Sequence, residues 1–293
     1  MRIGSVIPEM QYEAPQTLDA AIGLLAGASG QARILAGGTD LLVQLHAEMT
    51  DPDLLVDVKK IAELREIAKV DGGFQVGAAI TGAELGEHAD VKKEWPGVVE
   101  GLELIGSTQV QGRATIGGNL CNASPAADVV PALIAAGAMA QIAGANGLRE
   151  VAVEDIPTGP GKTSLAKDEI VVSIRFPKRG ARAGDAYLRF IPRTEMDIAV
   201  VGCGISLELD ADGVCTQARV SLGAVAERAL LVPEAAAAII GTSLDDEAMD
   251  QLAAAASAAC RPIDDKRGTI EFRTDVAGVL ARRVAKIAYD RAG

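Results

Sequence analysis

Twice in this chain a short run breaks on a glycine pair, restarting with helix-like spacing after the first and continuing as a row of small polar residues after the second. The first break is "ILAGGTDLLVQL", Ile34 to Leu45, with Gly37 and Gly38 at its turn. About eighty residues later comes "ATIGGNLCNASPAAD", Ala114 to Asp128, where Thr115 and Ile116 lead into Gly117 and Gly118. A glycine pair lets the backbone turn through positive φ and leaves amide N–H groups unshielded, a surface suited to an anion such as a pyrophosphate. Singly, either pair is a tight turn. Together, with their flanks, they ask for one explanation. Neither is a GxGxxG motif, and "GPGKTS", Gly159 to Ser164, lacks the spacing of a phosphate-binding GxxxxGK loop and reads as a connector.

The elements around these turns follow from hydrophobic period. "TLDAAIGLLAG", Thr17 to Gly27, opens on a threonine cap, spaces Leu18, Ala21, Leu24 and Leu25 as a helix and closes on glycine. "ARILAG" suits a short buried strand, "DLLVQLHAEM" a helix or turn, and Leu54 to Lys59 another strand, so residues 1–60 are expected to form a β-α-β unit. Ile67–Val70 and Phe74–Ala79 flank Asp71-Gly72-Gly73, a hairpin signal. Helical pieces interrupted at Pro96, a helix in "AADVVPALIAAGA", strands in "MAQIAG" and "REVAVED", and a last strand stopping at Pro177 complete a second unit over residues 61–178. "KRGARAGDA" reads as a linker by composition. Beyond it, residues 179–293 give three strands, the last two joined at Asp210 to Gly213, and then alanine-rich amphipathic helices from Pro233.

Several functional classes fall away. A net charge of -12 provides no basic footprint for nucleic acid or an anionic membrane. No apolar run reaches the ~20 residues that span a bilayer, and "MRIGSVIPEMQYEAP" has a proline and a glutamate where a leader peptide needs an apolar core. A cytoplasmic location is the expectation. Cys121, Cys203, Cys215 and Cys260 lack metal-ligand spacing, and His46 and His88 sit beside no ligand pattern, so no metal site is expected.

The segments "YEAPQTLDAAIGLL", "ILAGGTDLL", "ATIGGNLCNASPAAD", "DEIVVSIRFP" and "YLRFIPRTEMDIAVVGCGISL" stand in an order and at spacings that resemble one family across essentially the whole chain. It is the FAD-binding medium subunit of molybdenum hydroxylases, including carbon monoxide dehydrogenase and the flavin segment of xanthine dehydrogenase. The resemblance implies an α+β fold of the vanillyl-alcohol-oxidase (PCMH) type: two FAD-binding subdomains plus a C-terminal sheet-and-helix domain. On that pattern Leu35, Ala36, Gly37, Gly38, Thr39, Asp40 and Leu41 form the first clamp, holding the pyrophosphate with backbone amides. Ala114, Thr115, Gly117, Gly118 and Asn119 form the second. Thr39 and Thr115 offer hydroxyls to phosphate or ribityl oxygens.

The resemblance places Asn122, Ser124 and Asp128 toward the ribityl and adenosine portions, although Asp128 has capping of the following helix as its alternative. Val171 lies on a strand that relatives run beside the adenine or isoalloxazine. Arg189 stands where relatives usually carry lysine, and a cation there raises the flavin's reduction potential. Arg193 and Asp197 read best as a structural ion pair. "VQGRA" departs from the relatives' usual "IRNRA". Neither histidine falls in a flavin-contacting motif, so the implied FAD is non-covalent.

No catalytic acid, base or nucleophile is assigned to this chain. The implied role is relay: electrons pass from [2Fe-2S] clusters in a small subunit, fed by a large molybdopterin subunit, to an external acceptor through FAD held here, in a complex expected to be a dimer of heterotrimers. The alternative is a free-standing FAD-dependent oxidoreductase of the same fold. It requires a substrate pocket with its own acid or base.

Overall fold

The computed structural model describes residues 10–194 and 196–293. Residues 1–9, on which the leader-peptide expectation rests in part, and Glu195 of the "PRTEMDIA" segment lie outside the described residues.

Three sheets follow one another along the chain. In the first, β1 (Gln11–Glu13), β2 (Ala32–Leu35) and β3 (Leu54–Asp57) run parallel in the order β1-β3-β2. Parallel neighbours need crossovers, supplied by α1 (Leu18–Gly27) and α2 (Leu41–His46). Thr17 caps α1, its Oγ1 accepting the Ala20 N–H at 3.3 Å, and Ala21 and Leu25 face the small sheet's core with Val56 and Val58.

The second sheet is antiparallel and joins β4 (Ile67–Val70), β5 (Gly73–Gly77), β6 (Met139–Gly144), β7 (Gly147–Ala152) and a strand that arrives late, β10 (Ile170–Phe176). Its order is β4-β5-β10-β6-β7, so β10 inserts between strands made long before it. Both faces of β10 are therefore covered. Ile170 and Val172 join the first core, whereas Val171, Ile174 and Phe176 join the second. The change of parity falls where the register with β6 shifts, between Val171 and Ser173, as a bulge requires. Helices α3 (Gly82–Glu87), α4 (Ala89–Glu94), α5 (Pro96–Glu103), α6 (Thr108–Gln111), α7 (Ile116–Cys121) and α8 (Val129–Ala135) lie between β5 and β6 in the chain. Pro96 opens α5 at a position whose N–H has no intrahelical partner anyway. A small hairpin, β8 (Pro157–Gly159) and β9 (Lys162–Thr163), forms within the Gly/Pro-rich connector.

The third sheet, β11 (Ala183–Phe190), β12 (Val201–Leu209), β13 (Cys215–Gly223) and β14 (Leu230–Leu231), is antiparallel and packs on α9 (Pro233–Ile239), α10 (Asp246–Ala259) and α11 (Ile270–Ala292). The linker expected at residues 178–186 is half strand, because β11 starts at Ala183. Composition misled here: Gly184 lies where a Cβ would run into the Ala288 carbonyl of α11, and buried Asp185 pairs with Arg179 at 2.8 Å while accepting the Gly97 N–H at 2.8 Å. Gly184 thus serves close packing of β11 on α11, and Asp185 ties the third sheet to α5. No described helix is long and apolar enough to cross a membrane.

Candidate functional site

The first glycine turn is built by the edge of the parallel sheet. β2 ends at Leu35, whose carbonyl accepts the Val58 N–H at 3.1 Å, and residues 36–40 swing into α2. Gly38 has φ +80°, a conformation that disfavours any side chain. Gly37 is constrained differently: a Cβ there would run into the backbone carbonyl of Arg113, in the lead of the second glycine motif. The fold thus brings the two turns into backbone contact. The N–H groups of Gly37, Gly38, Thr39 and Asp40 have no acceptor among the described residues. Four adjacent donors left open beside a cleft are uncommon in a chain that satisfies its buried amides.

The second turn has spent its amides. Thr115 caps α7, its Oγ1 accepting the Gly118 N–H at 3.0 Å; the Gly117 N–H donates to the Ala78 carbonyl at 2.9 Å and the Asn119 N–H to the Thr115 carbonyl at 2.9 Å. Gly117 serves close approach, since a Cβ would lie 2.7 Å from the Ala78 oxygen. What this turn can offer a ligand is side chains: the Thr115 hydroxyl proton, Asn122, and Asn119, whose Oδ1 already accepts the Val129 N–H at 3.3 Å.

Between the turns lies a cleft of about 290 Å³. Ala36, Gly37, Gly38, Thr39, Asp40 and Leu41 line one side, and Ala114, Thr115, Gly117, Gly118, Asn119 and Asn122 line the other. Val171 of β10 closes it. Four further residues singled out in the sequence stand outside this lining. Leu35 is buried in a small cluster with Leu41 and Leu55, and the Ser124 hydroxyl accepts the Ala126 N–H at 3.3 Å. Asp128 and Arg189 form a buried ion pair at 2.8 Å, with the Tyr187 hydroxyl donating to the same carboxylate at 3.3 Å. Asp128 occupies the cap position of α8 without making a cap bond. Burial pushes its carboxyl up to about 6 even though Arg189 and Tyr187 pull the other way. Arg193 and Asp197 do pair, at 3.5 Å, and Asp197 is shared with Arg267 at 3.6 Å.

Sequence reading missed one wall. The connector that opens with "GPGKTS" contributes Thr163, Leu165, Ala166 and Lys167, and α1 and β2 contribute Leu25, Arg33 and Ile34. Lys167 ties this wall down by donating to the Ala28 carbonyl. The connector has no hydrophobic period, so only the position of β10 immediately after it, between β5 and β6, brings it over the cleft. Cys121 also lines the cleft, and burial pushes its thiol up to about 12, leaving no thiolate at neutral pH.

The residues present fit a dinucleotide diphosphate: open backbone donors from Gly37 to Asp40, two hydroxyls and an apolar flank. Residues 8–179 match the family described as the FAD binding domain in molybdopterin dehydrogenase, and residues 186–288 match the CO dehydrogenase flavoprotein C-terminal domain. A putative xanthine dehydrogenase FAD-binding subunit of Escherichia coli (strain K12) is 32% identical over 284 residues, 96% of this chain and 97% of that one. The carbon monoxide dehydrogenase medium chain of Hydrogenophaga pseudoflava is 31% identical, over 97% of this chain and 98% of its own. Among solved structures, carbon monoxide dehydrogenase from Hydrogenophaga pseudoflava superposes with a TM-score of 0.93 at 32% identity, covering 98% of this chain and 99% of that one. Quinoline 2-oxidoreductase from Pseudomonas putida 86 gives 0.89 at 30% identity, covering 97% and 98%.

Proposed function

The chain belongs to the family of FAD-binding subunits of molybdenum hydroxylases, and from that premise we propose that the cleft between its two glycine turns seats the phosphates of one non-covalently held FAD. It is an oxidoreductase subunit, and FAD is its cofactor. When bound, FAD takes electrons singly or in pairs, so it can join one-electron donors to a two-electron acceptor. In this reading the chain relays electrons from [2Fe-2S] clusters of a small subunit, supplied by a large molybdopterin subunit, to an external acceptor. The complex is a dimer of such heterotrimers.

The observation that carries the placement is the row of open N–H groups from Gly37 to Asp40. These donors meet phosphate oxygens. Thr39 and Thr115 would add hydroxyls, Asn119 would complete the second clamp and Asn122 would face the ribityl portion. A cleft of about 290 Å³ lies at the small end of the ~300–1,000 Å³ that encloses a drug-sized ligand. It would hold the phosphates and one flank of the dinucleotide. Leu25, Ile34, Leu165 and Val171 exclude water from the enclosed flank. Relatives named for xanthine, carbon monoxide and nicotinate share this subunit at 29–32% identity. Substrate choice therefore lies with the partner that holds molybdenum.

The test is the state of the flavin in the purified chain. We expect one FAD per chain, released into the supernatant on acid precipitation. Colour retained in the pellet would contradict non-covalent attachment, and its absence from protein purified with excess FAD would contradict the placement altogether.

A further inference from the structure

On the reading that the first glycine turn meets FAD phosphates, we propose that Lys59, outside the cleft, is a positioning residue that fixes the direction of the turn's first amide, the Gly37 N–H, by holding the Ala36 carbonyl. The Lys59 Nζ donates to the Ala36 carbonyl at 3.0 Å and pairs with Asp57 at 2.8 Å. Asp57, buried at the end of β3, also accepts the Lys59 backbone N–H at 3.1 Å and the Tyr12 hydroxyl at 2.6 Å. Tyr12 comes from β1, Asp57 from the central β3, and Ala36 directly follows β2, so all three strands of the parallel sheet converge on one carbonyl. None of Tyr12, Asp57 and Lys59 lines the cleft.

The physical link is the peptide plane. The Ala36 carbonyl and the Gly37 N–H belong to one rigid trans unit and point in opposite directions, so fixing one fixes the other. Glycine makes this peptide easy to flip, because Gly37 tolerates backbone angles closed to other residues. A flipped peptide would present a carbonyl oxygen to the phosphates and withdraw a donor. Lys59 guards against that flip, and the Leu35 carbonyl, held by the Val58 N–H, anchors the residue before it. Burial raises the Asp57 carboxyl, but hydrogen bonds from Lys59 and Tyr12 outweigh it and hold the group below its usual range, so the anchor is ionised at neutral pH.

The experiment is calorimetric titration of the full chain, stripped of flavin, with FAD, ADP and adenosine. Wild type should bind ADP well above adenosine. Lys59→Met keeps the aliphatic stem and removes the donor, and it should weaken FAD and ADP about ten- to hundredfold, the range for a hydrogen bond from a charged donor. Adenosine binding should not change. Tyr12→Phe, at an exposed residue, leaves every formal charge in place and should weaken ADP several-fold in the same selective way, which bulk attraction by the ammonium would not produce. Wild type that fails to prefer ADP would sink the phosphate reading itself. A wild type that prefers ADP, with the preference undiminished in both variants or with ADP and adenosine lost together, would leave that reading standing and overturn the role of Lys59.

Discussion

Asp128 and Arg189 lie 2.8 Å apart with both side chains almost wholly buried, and the carboxyl is raised from the ordinary 3.8 to about 6, first by burial and against the pull of the guanidinium. The linkage sign follows from the raised value. Protonation of a carboxyl whose pKa is higher folded than unfolded favours the folded state below the unfolded pKa, and that contribution is lost as pH rises through the folded one. Relative to Asp128→Asn, which does not titrate here, wild type should lose thermal stability between about pH 4 and pH 6 and run level above. Melting curves across that window check it, and a pH-independent difference would contradict it. The sequence alone left this residue between ligand contact and helix capping. Its partner was invisible because Arg189 stands 61 positions away on a strand that meets α8 only through tertiary packing.

The strand–turn–helix element from β2 to α2 was legible because glycine, period and length all agree there. So were the hairpin at Asp71-Gly72-Gly73 and the threonine cap on α1, whereas the cap that Thr115 makes on α7 was not read. The connector wall and the early start of β11 were not, since neither has a period and both are placed by what packs over them. The two glycines of the first turn also look equivalent in sequence, and the structure separates them. Gly38 needs its positive φ, and Ala there meets only the flexible ends of Leu35 and Leu42 plus ~1–2 kcal/mol of backbone strain. Gly37 faces the Arg113 backbone, which cannot move without displacing the second motif. Gly37→Ala should therefore cost more flavin occupancy than Gly38→Ala, with far-ultraviolet circular dichroism preserved in both. Flavin content measured on matched samples decides it, and the reverse order would mean that the backbone contact between the motifs does not set the cleft's shape.

For the whole molecule, three sheets place a donor-lined cleft between the first two and set the third against the second through Asp185, Glu100 and Gly204. Family membership was readable from five short segments, four of which carry turns and strands that line the cleft while the fifth lies in the third sheet, whereas the pairing partners of Asp128 and Asp57 depend on distances no local pattern encodes. Among the described residues no cluster of three or more histidine, cysteine or acidic side chains is able to hold a metal. The proposed relay would put the metal chemistry and the substrate in partner subunits. The most direct test is anaerobic stopped-flow measurement of flavin bleaching, comparing the isolated FAD-loaded chain with the complex reconstituted from its [2Fe-2S] and molybdenum subunits and given that complex's substrate. The relay predicts negligible bleaching of the isolated chain and rapid bleaching in the complex; equally rapid bleaching of the isolated chain would contradict it.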